Sequence, residues 1–147
     1  CLADEKVGWA VGDLGRVFHT ADGGKTWEIQ TAGTKRPFVA IACTDTQNVW
    51  IGGQAGQMAR SNDGGKTWKK LDSGTDRQIL GIQMISAQVG MAVGDFGTIL
   101  RTEDGGDTWT KIEVPADVKL PEEMEGIVEP GDIVFYSVHF ADPDFVS

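Results

Sequence analysis

A chain of 147 residues with 13 basic and 22 acidic side chains carries a formal charge of −9, which excludes broad nucleic-acid binding and docking on anionic membrane as main activities. The length suits one domain with a buried core, and no apolar run approaches the ~18 residues that a spanning helix needs. Only two cysteines occur, so composition leaves the redox compartment open.

Two phrases recur along the chain. Thr20-Ala-Asp22-Gly-Gly24-Lys-Thr26-Trp27, Ser61-Asn-Asp63-Gly-Gly65-Lys-Thr67-Trp68 and Thr102-Glu-Asp104-Gly-Gly106-Asp-Thr108-Trp109 follow one another at a spacing of 41 residues. Upstream of each, Trp9-Ala-Val-Gly12-Asp13-Leu-Gly15 aligns with Trp50-Ile-Gly-Gly53-Gln54-Ala-Gly56 and with Met91-Ala-Val-Gly94-Asp95-Phe-Gly97. A fixed period of this size marks a stacked or radial repeat. Short apolar runs punctuated by Gly-Asp-x-Gly and Asp-Gly-Gly read as antiparallel strands joined by tight turns.

The first unit covers about 1–31 and opens at a turn, because Leu2-Ala-Asp4 aligns with Cys43-Thr-Asp45; it lacks most of its innermost strand. The second covers about 32–72, with Cys43 read as a small buried hydrophobe of its first strand. The third covers about 73–113, and its strands A to D fall near 78–85, 90–94, 98–101 and 108–113. An acidic insertion follows over about 114–131, roughly 15 residues longer than its counterparts. Asp132-Ile-Val-Phe-Tyr-Ser-Val-His-Phe140-Ala-Asp142 then reads as a terminal A strand over about 132–142.

Four short strands in ~40–45 residues make a propeller blade. The expected fold is all-β, a β-propeller of four-stranded antiparallel blades with three 41-residue blades and a terminal strand in this chain. Closed propellers have ~4–8 blades, so two readings stand: a portion of a longer propeller, or two copies joined head to tail by exchanging their terminal strands. Within each blade Asp22, Asp63 and Asp104 are placed to accept backbone hydrogen bonds in the C-to-D turn. Gly24, Gly65 and Gly106 supply positive φ angles. Thr26, Thr67 and Thr108 begin strand D, and Trp27, Trp68 and Trp109 are expected to bury their rings between neighbouring blades.

With these residues in place the chain resembles the Asp-box (BNR) propellers, and among them the photosystem II stability/assembly factor family. Gly8-Trp9-Ala-Val-Gly12, Gly15-Arg-Val-Phe-His-Thr20 and Asp22-Gly-Gly-Lys-Thr-Trp27 carry the likeness, which is strong over residues 2–113. The resemblance implies a non-enzymatic scaffold that binds another protein, in a periplasmic or extracellular setting, with no cofactor. Asp boxes also occur in sialidases, xyloglucanase-type glycosidases and sortilin-like receptors, so a glycosidase or glycan-binding propeller is the competing class.

Propellers usually bind on the face formed by their B-to-C and D-to-A turns. Asp13, Gln54 and Asp95 belong to the first set of turns, and Lys35, Arg36, Asp76 and Arg77 to the second. The family's arginine-rich patch maps onto Arg36 and Arg77, which are again 41 apart, whereas Val118 breaks the pattern in the third equivalent. For Asp13 and Asp95, binding competes with a turn-stabilising carboxylate. Catalysis has little to draw on. A glycosidase needs two facing carboxylates, and Asp13 with Asp95 is the only pair available. The single tyrosine, Tyr136, sits in an expected strand, and His19 and His139 have no Cys or His at ligand spacing, so no zinc site is expected.

Overall fold

The computed structural model describes residues 1–114 and 134–139. Strands β1 (Gly8–Val11), β2 (Arg16–Thr20) and β3 (Glu28–Thr31) form a first antiparallel sheet in the order β1-β2-β3. Strands β4 (Phe38–Cys43), β5 (Val49–Gly53), β6 (Met58–Ser61) and β7 (Lys69–Leu71) form a second in sequence order. Strands β8 (Ile79–Met84), β9 (Gly90–Gly94), β10 (Ile99–Thr102) and β11 (Thr110–Lys111) form a third of the same kind. Each sheet is a meander; the second and third begin with an A strand, and the first begins with the B strand β1.

The sheets stack face to face. Trp9 and Val17 of the first meet Phe38, Val49, Ile51 and Ala59 of the second in one core. Trp50, Met58 and Leu71 of the second meet Ile79, Ile82, Met84, Ala92 and Leu100 of the third in another. The period-2 alternation of a strand sends Trp50 to one core and its neighbour Ile51 to the other. That is why every residue of β5 is buried, whereas β3 on the outer rim is largely exposed. Truncating a buried indole such as Trp50 to alanine typically costs about 3–5 kcal/mol.

The tryptophans are distributed differently from the sequence expectation. The fully buried rings are Trp9 and Trp50, at 2% and 0% exposure, which belong to the B strands. Trp68 and Trp109 are half-buried at the edges of the two cores, and Trp27 is 45% exposed. The Asp-box tryptophan precedes the outermost strand, so its ring lies at the rim. Trp27 sits on the first sheet, against whose far face no sheet packs among the described residues.

Each Asp box closes its turn with both carboxylate oxygens. Asp63 Oδ1 accepts from the Thr67 amide at 2.9 Å and from the Ser61 hydroxyl at 2.7 Å, and its Oδ2 accepts from the Thr67 hydroxyl at 2.5 Å. Ser61 Oγ in turn accepts from the Gly65 amide at 2.7 Å. Asp22 and Asp104 repeat the arrangement with Thr20, Thr26, Thr102 and Thr108. Gly64 and Gly65 take φ values of 73° and 87°, a region that L side chains disfavour. A second set of turns, between strands A and B, uses Asp4, Asp45 and Ser86 to accept two amides each. The two turns meet within each blade, where the Gly23, Gly64 and Gly105 amides donate to the carbonyls of Lys6, Gln47 and Gln88.

Cys43 is not a free buried thiol, because it forms a disulfide with Cys1. Leu2 bridges Gly8 and the Trp9 amide donates to the Cys1 carbonyl at 2.8 Å, which lays residues 1–2 beside β1. That placement brings Cys1 to the end of β4, with Cα atoms 6.1 Å apart. Of the terminal strand expected over 132–142, residues 134–139 carry no assigned strand pairing. Their tie to the third sheet is a bond from the Phe135 amide to the Gly94 carbonyl at 3.1 Å, matching that from Phe38 to Gly12 at the same length. The rest of that strand, and the insertion beyond Val114, lie outside the described residues.

The hydrogen bonds from Thr67 and Ser61 hold the Asp63 carboxyl down from 3.8 to about 2, and those from Thr108 and Thr102 do the same for Asp104. A depressed carboxylate contributes stability above its ordinary pKa and loses it as pH falls through the folded value. Urea midpoints should therefore drop between about pH 4 and pH 2, and the paired change Asp63→Asn with Asp104→Asn should lower stability at pH 7 while making that acid loss shallower. An equally steep loss in the variant would assign it to other carboxylates. The disulfide spans a sequence separation of 42, and its reduction should remove about 4 kcal/mol by the loop-entropy relation, read from denaturant melts with and without a phosphine reductant.

Candidate functional site

The candidate face is built from the B-to-C turns and the D-to-A connections that lean on them. In each B-to-C turn, Gly-Asp-x-Gly in the first and third blades and Gly-Gln-Ala-Gly in the second, the third residue adopts a left-handed conformation, with φ of 59° at Leu14, 57° at Ala55 and 53° at Phe96. Residues without glycine's freedom seldom hold such angles unless the surroundings fix them. The glycine that follows each of the first two tips is required by close packing: a Cβ on Gly15 would collide with the Thr34 carbonyl, and one on Gly56 with the Thr75 carbonyl. Only glycine lets the connection from the preceding strand D pass so close. Leu14 and Phe96 are left exposed at the turn tips.

The connections are themselves held. The Arg36 amide donates to Thr34 Oγ1 and the Arg77 amide to Thr75 Oγ1, both at 3.1 Å, so each arginine sits on a hydroxyl-capped turn. Gln57 adds bonds from its Nε2 to the Arg36 and Pro37 carbonyls at 3.0 and 2.8 Å. The Arg36 side chain is exposed and has no carboxylate partner among the described residues. Arg77 lies 4.2 Å above the centre of the Phe96 ring, and its Nε is 3.8 Å from Asp76.

Neither the Asp13 nor the Asp95 carboxylate accepts a hydrogen bond among the described residues. The turn-stabilising part falls instead to backbone: the Arg16 amide donates to the Asp13 carbonyl, the Gln57 amide to that of Gln54, and the Thr98 amide to that of Asp95 at 3.1 Å. A carbonyl is common to all residues, which explains why glutamine serves at position 54. Asp13 and Asp95 also stand on the first and third sheets with the second between them, so they are not brought together as a facing pair.

The arginines, by contrast, line adjoining cavities. One of about 500 Å³ is bordered by Arg36, Gln57, Lys70, Ser73 and Thr75. A second of about 500 Å³ shares Arg36, Gln57 and Lys70 and reaches Trp68. A third of about 420 Å³ shares Ser73 and Thr75 with the first and holds Arg77, Phe96, Trp109 and Lys111. Sequence reasoning missed Lys70 and Lys111, although their 41-residue spacing was there to be found. Tyr136 is exposed at 73%, and the His19 ring packs on Trp9 with centroids 5.3 Å apart. Among the described residues no cluster of His, Cys, Asp or Glu is placed to hold a metal ion, and no helix is long and apolar enough to cross a membrane.

No curated protein matches the sequence. Among solved structures, YCF48 bound to a D1 peptide is 27% identical with a TM-score of 0.67, over 75% of this chain and 37% of that one. YCF48 from Cyanidioschyzon merolae is 27% identical with a TM-score of 0.66, over 76% of this chain and 38% of that one. An ancestral GH74 enzyme has a TM-score of 0.62 at 18% identity, over 76% of this chain and 17% of that one, a likeness of fold alone. The chain thus spans well under half the length of the YCF48 proteins it matches, and its three sheets are blades of a β-propeller. The model of the family described as photosynthesis system II assembly factor YCF48 matches residues 1–75 and 31–101. With Asp boxes, Gly-Asp-x-Gly turns and blade stacking all in agreement, the chain belongs to that family.

Proposed function

We propose that this chain is the peptide-binding part of a non-enzymatic scaffold, holding an acidic segment of a partner protein along the cavities between Arg36 and Arg77. The observation that carries the reading is the setting of Arg36, a guanidinium on a rigid turn, beside an open cavity and without an internal carboxylate to satisfy it. Such a group binds an incoming carboxylate by charge-assisted hydrogen bonds. A relative in complex with a D1 peptide supports a peptide as the occupant. The placement of Asp13 and Asp95 on the first and third sheets speaks against the facing pair that a glycosidase would require. The Cys1–Cys43 disulfide supports an oxidising compartment, periplasmic or extracellular.

Fluorescence anisotropy with a labelled D1 peptide tests the proposal. Arg36→Ala should weaken binding about tenfold, as loss of a hydrogen bond to a charged group costs ~1.5 kcal/mol or more. Arg36→Ala with Arg77→Ala should weaken it further, and both variants should melt with the parent because the side chains are exposed. Unchanged affinity in the double variant overturns the reading, as does glycan binding that Asp95→Asn abolishes without loss of stability.

A further inference from the structure

The cavities at Arg36 and Arg77 are copies of one design that differ in how their cations are paired. Under a 41-residue shift Thr34, Arg36, Trp68 and Lys70 become Thr75, Arg77, Trp109 and Lys111, and each set lines its own cavity. In the first, the cations of Arg36 and Lys70 have no carboxylate partner among the described residues. Asp72 borders the adjoining cavity, but its Oδ1 is engaged by the Gly74 amide at 2.9 Å. In the second, both cations are already answered: Arg77 by Asp76 at 3.8 Å and Lys111 by Glu113 at 3.3 Å. The turn tips differ too: Ala55, which borders the adjoining cavity, is replaced by Phe96 in the second, while Phe38, Met58 and Trp68 give the first apolar walls of its own. Phe96 also covers the face of Arg77.

We propose that the two cavities form an ordered pair, an anion seat at Arg36 and Lys70 and an aromatic seat at Phe96 and Trp109, which together select a peptide segment carrying a carboxylate side chain beside an aromatic or large aliphatic one. This rests on the peptide-binding reading above and specifies the ligand class of the same site. An unpartnered cation pair gains a new ion pair on binding without first breaking an old one. The self-neutralised pair would have to exchange an internal carboxylate for an external one and gains little. The exposed Phe96 ring, where the preceding blade has Ala55, instead offers the second cavity a surface for ring stacking beside Trp109. The adjoining cavity, which Arg36 and Lys70 also line, shares Ser73 and Thr75 with the second, so one extended segment can reach both seats.

The test uses the full chain and a labelled glycine-spaced hexapeptide bearing one glutamate and one phenylalanine, read by anisotropy at low salt. Lys70→Ala should weaken binding about fivefold or more, Lys111→Ala less than about twofold, and Phe96→Ala about as much as Lys70→Ala. Replacing the peptide's glutamate by glutamine should abolish the effect of Lys70→Ala while leaving that of Phe96→Ala, and replacing its phenylalanine by alanine should do the reverse. Equal losses from Lys70→Ala and Lys111→Ala overturn the ordered pair and leave the arginine site standing. A parent chain that binds neither this hexapeptide nor the D1 peptide overturns both. Lys70 and Lys111 are exposed in the outer strands, and matching melting temperatures separate lost binding from lost fold.

Discussion

The architecture hangs on a carboxylate that uses both oxygens at once. Asp104 accepts the amide and hydroxyl of Thr108, and the turn so closed aims the Gly105 carbonyl at the preceding sheet. There it accepts from the buried Trp50 indole at 2.8 Å and from Arg60 Nη1 at 2.7 Å. A buried indole N–H without an acceptor would carry the full cost of its desolvation, so the core of one blade is completed by the turn of the next. Arg60 and Lys69 both reach the Asp107 carboxylate as well. Local turn chemistry and the packing of sheet on sheet are therefore one interaction viewed at two scales.

The first interface follows the same plan with different parts. Gln30 Nε2 donates to the Gly64 carbonyl at 3.1 Å, taking the place that Trp50 and Arg60 fill at Gly105. Position 19 carries histidine where the second blade has Arg60, and its ring packs on Trp9 instead of crossing to the next turn. The Trp9 indole nitrogen is buried without a hydrogen bond among the described residues. The second interface thus carries more polar contacts between core and turn, and the Cys1–Cys43 disulfide ties the first.

Much of this was legible in the sequence because turns and strands are local matters. The strands expected at 90–94 and 98–101 lie within a residue of Gly90–Gly94 and Ile99–Thr102, and the Asp-box hydrogen bonds follow from a short carboxylate in a glycine turn. What escaped was set by distance in the chain. The Cys1–Cys43 pairing depends on residues 1–2 lying beside β1, and the exposure of Trp27 depends on what stacks against the first sheet. Both are facts about neighbouring sheets that no single repeat contains. Lys70 and Lys111 were passed over for a different reason: lysine in an outer strand reads as a guard against edge pairing, and only the cavities show which way they line.

The left-handed tips of the B-to-C turns separate shape from chemistry. Leu14, Ala55 and Phe96 hold φ angles within 6° of one another, although their side chains range from a methyl group to a phenyl ring. In the first two blades a connection lies so close on the following glycine that no Cβ fits there, whereas the tip residue itself points to solvent. Each blade thus carries one position at which the character of the rim can be rewritten, apolar, small or aromatic, while the scaffold beneath stays as it was. A propeller of this kind can change what it recognises one blade at a time.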